Sequence, residues 1–171
     1  MPKQRSYRPV GLDYLDDAPV RAALRQSLPA SAETVFAAFE EPDFWTAWLG
    51  PIDEVVWTSP KPYRVGTTRD IVGKGSRVSE EFIAWQAPRR IAFYFSEGDS
   101  PVFAAFAEEY TLEPRGDRCE LVWRYAFECP ERLRLLQPVV AFGFGRFGRR
   151  ALAKMAEHLD EHAGRYREAA A

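Results

Sequence analysis

From Glu54 to Glu128 the chain is a succession of period-two segments: "EVVWTS", "TTRDIVG", "SRVSEEFIAW", "RRIAFYFS", "AAFAEEYTLE" and "RCELVWRYAFE". Successive side chains of a strand point to opposite faces, so each alternation of apolar and polar residues predicts a half-buried strand. The breaks between them carry turn residues: Pro60 and Pro62, Gly73 and Gly75, Pro88, Gly98 and Pro101, then "PRGD" at 114–117. Breaks this short hold no crossover helix, so consecutive strands must pair antiparallel. After Pro130 the spacing turns helical, is interrupted at Pro138, and then runs unbroken to the end. Val140, Phe144, Phe147, Gly148, Ala151, Leu152, Met155, Leu159 and Ala163 fall on one face of this helix, which spans at least Phe147 to His162. Arg146, Arg149, Arg150, Lys154, Glu157, Asp160 and Glu161 fall on the other. A sheet with one apolar face needs one cover, and this helix is the only element long enough to supply it. The pattern predicts an α+β protein in which a curved antiparallel sheet grips a C-terminal helix.

Upstream of the sheet the elements are shorter. Residues 21–28 alternate weakly and predict a first strand. Ser31 is a candidate N-cap for a helix through Val35, Phe36 and Phe39, and Pro42 starts a second short helix that carries Trp45 and Trp48 and stops at Gly50. Residues 1–19 are polar, proline-containing and aperiodic, and read as an arm wrapping a domain of residues 20–171. At 171 residues and 46% hydrophobic content the chain can bury a substantial core. The net charge of −2 argues against a general nucleic-acid binder or a membrane-surface protein. There is no run of about 20 apolar residues to insert into a membrane, and the first residues lack the apolar centre of a secretory signal. Cys119 and Cys129 lie at opposite ends of one predicted strand, too far apart to bridge, so free thiols and a cytoplasmic location are expected.

Two motifs suggest cofactors and fail on context. "GFGRFG", Gly143 to Gly148, has the G-x-G-x-x-G spacing of a dinucleotide site, but it follows the whole sheet and no strand comes after it. "HLDEH", His158 to His162, has the spacing of inverted zinc proteases but lacks room downstream for a third ligand. No cofactor and no metal are expected. Gly148 sits on the apolar face of the helix, where a missing side chain leaves space.

The strand faces suggest what that space is for. Phe93 and Phe95, then Phe106, Glu108, Tyr110 and Leu112, then Trp123 and Tyr125, point toward the helix. In the 77–85 strand, Phe82 and Ala84 compete with Ile83 and Trp85 for the inner face. Aromatic rings with a few polar tips suit the wall of a small-molecule pocket as well as a core. The expected ligand-binding set is therefore Trp45, Trp48, Phe93, Phe95, Phe106, Glu108 and Tyr110 with Trp123, Tyr125, Phe144, Phe147, Gly148 and Met155. Glu108 stands out, because a carboxylate among aromatic rings either finds a partner and stays ionised or takes up a proton. Pairing with an Arg or a Tyr hydroxyl is the expectation. Glu108, Tyr110 and Tyr125 are the candidates for acid–base chemistry.

The order of elements, the helix start "PASAETVF" at 29–36, "PRRI" at 88–91 and "LEPRGD" at 112–117 resemble the START-like (SRPBCC) superfamily, nearest its polyketide cyclase/dehydrase-type branch. The resemblance covers roughly residues 20–165. It implies a helix-grip fold, with two short helices after the first strand and a cavity between sheet and C-terminal helix. It also implies a hydrophobic small-molecule partner such as a lipid, polyketide or quinone. No catalytic motif is shared across that superfamily, so no catalytic residue carries over. Three functions stay open: a carrier, a cyclase- or dehydratase-like enzyme without cofactor, and a protein-interaction module with a filled core. The chain is expected to be a monomer or homodimer.

Overall fold

The computed structural model describes residues 4–170. The six expected strands form as β3 (Glu54–Trp57), β4 (Thr68–Gly73), β5 (Ser76–Gln86), β6 (Arg90–Gly98), β7 (Ala105–Arg115) and β8 (Arg118–Glu128). β1 (Arg5–Ser6) and β2 (Val20–Leu28) complete an eight-stranded sheet in the order β2-β8-β7-β6-β5-β4-β3, with β1 beside the end of β6. All pairings are antiparallel, and β2 returns to lie against the last strand. The turn of "PRGD" is closed by Gly116, whose φ of +71° a side chain would resist.

Helices α2 (Ala32–Phe39) and α3 (Pro42–Trp48) follow β2. The Ser31 hydroxyl accepts the Thr34 N–H at 3.3 Å, which caps α2 as the sequence predicts, and Pro42 opens α3. A 3₁₀ segment (Glu131–Leu136) leads into α4 (Gln137–Ala170), which at 34 residues runs roughly 50 Å. Pro138 sits in its first turn, where a missing N–H costs nothing. α4 packs against β2, α2 and α3 over the concave face of the sheet. The result is the helix-grip arrangement of an α+β protein.

The ambiguous strand is settled by a bulge. β5 pairs Phe82 with Phe93 and Ala84 with Ala92, leaving Ile83 as an extra residue. Phe82 and Trp85 thereby both join the concave aromatic cluster, while Ile83 packs on the convex side. The convex face is also drier than alternation suggests. α1 (Tyr14–Asp17), in the arm, buries Tyr14 and Leu15 against Ala105, Ala107 and Ala126, small residues that let the backbone approach. Arg124 secures the arm through the Leu15 carbonyl, at 3.0 Å, and the Asp16 carboxylate.

Both of these motifs have structural surroundings of their own. "GFGRFG" lies inside α4, so its backbone groups are engaged in the helix and present no helix N-terminus. In "HLDEH", His158 Nε2 lies 2.8 Å from the Tyr166 hydroxyl, and His162 Nδ1 lies 3.1 Å from the His158 carbonyl. Cys119 and Cys129 are free and buried.

Candidate functional site

The concave face is divided. Over β7, β8 and β2 it is packed solid against α4. A Cβ on Gly148 would lie 2.5 Å from Leu24 Cδ1 and 3.0 Å from Trp123 Cζ3. The missing side chain therefore lets α4 sit close to β2 and β8, and does not open room for a ligand as the sequence suggested. Over β4, β5 and β6, toward the loop that joins α3 to β3, helix and sheet separate and leave a partly open cavity of about 180 Å³ that reaches Glu108 of β7 and Trp123 of β8.

Seven of the expected residues line this cavity: Trp45, Phe93, Phe95, Glu108, Trp123, Phe144 and Phe147. The other six do not. Trp48, Phe106, Tyr110, Tyr125, Gly148 and Met155 form the packed layer behind the cavity wall. Phe106 stacks on Phe95 with centroids 4.3 Å apart, Tyr110 stacks on Trp123 at 5.4 Å, and Tyr125 meets the edge of Phe144 at 4.6 Å. They fail as lining residues because alternation selects a face, not a depth, and a concave face has more inward positions than a small cavity has wall.

The sequence reading missed the polar centre of the site. Arg69 of β4 and Glu80 of β5 are register partners, and both face inward. Arg69 Nε donates to Glu80 Oε2 at 2.6 Å, with the Arg69 side chain 1% exposed. Its guanidinium lies 4.0 Å from the Trp45 ring centre and 4.8 Å from that of Phe93, so aromatic faces solvate the cation. α3 holds Trp45 in place through its indole N–H, which donates to the Phe39 carbonyl at 2.9 Å. The signal was available: Arg69 alternates with Ile71, and Glu80 sits between Val78 and Phe82. Opposite charges at inward positions of two adjacent strands predict a buried pair.

Glu108 points inward as expected and lies at this polar end, 7% exposed. Its Oε2 accepts the Tyr110 hydroxyl at 2.7 Å. The expected pairing with a Tyr hydroxyl thus forms, but Arg69 is committed to Glu80, and the ionised state expected to go with pairing does not hold. Burial pushes the Glu108 pKa up to about 8, against the Tyr110 hydrogen bond, and the negative charge of Glu80 adds to the rise. Glu80 is itself raised by burial and opposed by Arg69. Burial also holds the Tyr110 phenol well above its usual value. At neutral pH the site thus contains Arg69 paired with Glu80, and Glu108 carrying its proton. Two donors are left over. Arg69 Nη1 is buried without a hydrogen-bond partner, and so is Trp123 Nε1, which lies near enough to Glu108 to favour its ionised form without bonding to it. Among the described residues no three His, Cys, Asp or Glu side chains gather into a metal site.

The family of polyketide cyclases/dehydrases and lipid-transport proteins matches residues 19–160. An uncharacterised protein of Mycobacterium tuberculosis is 34% identical over 143 residues, covering 81% of this chain and 86% of its own. Among solved structures, a Thermus thermophilus protein superposes with a TM-score of 0.67 at 19% identity, over 82% of this chain and 97% of its own. The Zhui aromatase/cyclase from a Streptomyces species gives 0.65 at 15% identity, over 85% and 98%. A START superfamily protein from Mycobacterium smegmatis gives 0.65 at 16%, over 81% and 98%. The structural matches share the fold, and the sequence match covers most of the domain: this chain belongs to the family of polyketide cyclases/dehydrases and lipid-transport proteins.

Proposed function

We propose that the protein binds a small apolar or aromatic molecule in the cavity between the sheet and α4. The observation that carries this reading is the cavity itself: aromatic walls with buried polar groups at one end. A site of about 180 Å³ accommodates roughly one ring with short substituents, since an apolar cavity of ~150 Å³ holds benzene. Burying about 200 Å² of apolar ligand is worth roughly 5 kcal/mol before ordering costs. The unpartnered donors of Arg69 and Trp123 favour a ligand with an acceptor oxygen at one end. Arg69 is already neutralised and two carboxyls stand nearby, so a neutral carbonyl or phenol fits better than a second carboxylate.

One observation favours a second reading, acid–base catalysis on such a ligand. A carboxyl with a pKa of about 8 on the wall of an apolar cavity holds its proton at neutral pH and can release it close to neutrality. Glu108 would be the catalytic residue, with Tyr110 positioning it. Tyr125 lies outside the cavity wall and drops from this role.

Native mass spectrometry of protein taken from its own cells is expected to show a bound molecule, and titration with one-ring ketones or phenols to quench tryptophan fluorescence saturably. Absence of any saturable ligand would end the binding reading. Glu108→Gln separates the two functions. A carrier should change affinity by about tenfold, or ~1.4 kcal/mol, whereas an enzyme should lose turnover while still binding.

A further inference from the structure

The net charge of −2 averages over an uneven surface. Residues 131–150 contain five arginines against the single carboxylate of Glu131. Arg132, Arg134, Arg146, Arg149 and Arg150 are all exposed, and none makes an ion pair among the described residues. The same stretch carries the largest exposed side chains of the apolar kind. Of the six exposed large hydrophobic residues among the described ones, four are Leu135, Leu136, Val139 and Phe142, with Leu135 95% and Phe142 67% exposed.

Neither feature serves the fold. Arg132 and Arg134 precede the N-terminus of α4, and its first turn carries no acidic residue, so the charges oppose the helix dipole. Leucine and phenylalanine side chains held in water contribute no burial and invite association. Helical spacing puts Val139, Phe142, Arg146 and Arg150 on one outward face of α4, while Phe144, on the opposite side, and Phe147, on the flank between, line the cavity. Apolar tips flanked at both ends by free guanidinium groups match an acyl boundary under anionic headgroups. The alternatives match less well. A two-fold contact between copies of this chain would set arginine against arginine, and a nucleic acid would engage the arginines but leave Leu135 and Phe142 in water. No described helix is long and apolar enough to cross a membrane, so contact would be from one side.

We propose that Glu131–Arg150 is a docking surface for an anionic lipid bilayer. The apolar residues enter the headgroup boundary, and the arginines pair with lipid phosphates. This does not depend on the cavity reading, although docking would bring the helix segment that walls the cavity to the lipid surface.

Flotation with vesicles of equal parts phosphatidylcholine and phosphatidylglycerol tests it, with pure phosphatidylcholine as control. The full chain should float with the anionic vesicles only, and less so as salt rises. Leu135→Ser with Phe142→Ser, and separately Arg146→Glu with Arg150→Glu, should each weaken binding by about tenfold or more. These side chains are exposed, so circular dichroism and thermal midpoint should stay unchanged, which separates lost docking from lost folding. Wild-type protein that ignores anionic vesicles overturns the proposal, as do variants that float like wild type. Binding to poly-uridylate that is as tight as vesicle binding and indifferent to the two serine substitutions would assign the surface to nucleic acid instead.

Discussion

Glu108 and Glu109 are neighbours on one strand, both nearly buried, and they meet opposite fates. On the convex face Glu109 accepts from Arg90 Nε at 2.7 Å and from Arg124 Nη1 at 3.1 Å. Those arginines keep about 30% of their side-chain surface in water, so their cations remain partly hydrated. On the concave face Glu108 has only the Tyr110 hydroxyl, because the one arginine there is held by Glu80. One carboxyl closes a structural network that holds the arm. The other keeps a proton beside a cavity. Burial alone does not decide the state of a charge; the number of counter-charges left to it does.

The largest effect is expected at the arginine that Glu108 does not receive. Arg69→Met keeps much of the volume but strands Glu80, and should lower unfolding free energy by about 3 kcal/mol or more. Urea denaturation at neutral pH measures it, and a loss under about 1 kcal/mol would mean that the pair is hydrated and the contrast between the faces is overstated.

A smaller, signed effect comes from Glu108. Its carboxyl titrates near 4.5 when unfolded and at about 8 when folded. Between those values the folded state holds the extra proton, so stability should fall as pH rises through that window. Glu108→Gln removes this contribution, flattening the profile and making the variant increasingly more stable than wild type as pH rises through the window toward 8. A wild-type profile that rises over the same window would show that Glu108 stays ionised.

The smallest effect belongs to the convex face. Glu109→Gln should cost about 1 kcal/mol, because Arg90 and Arg124 can turn toward water. Arg124→Ala should act on the arm more than on the sheet, raising amide exchange at residues 14–17, where Arg124 holds Leu15 and Asp16. If exchange spreads through β7 and β8 instead, the arm is integral to the sheet.

The split between Glu108 and Glu109 was legible beforehand, since alternation alone puts adjacent residues on opposite faces. So were the strands, the Ser31 cap, the Pro42 start and the gripping helix. Each follows from chemistry within a few residues: backbone period, a capping hydroxyl, a ring that fixes φ. Tertiary structure decided the rest. It joined Arg69 to Glu80 across two strands, leaving Glu108 without a cation. It filled the space at Gly148 with Leu24 and Trp123, and left open the space beside Phe95 and Phe147. It resolved the register of β5 with a bulge at Ile83. The physical reason is that direction is local and distance is not. A residue's own strand or helix fixes which way it points, but whether it meets a partner, a packed ring or a cavity depends on side chains that arrive from elsewhere in the chain.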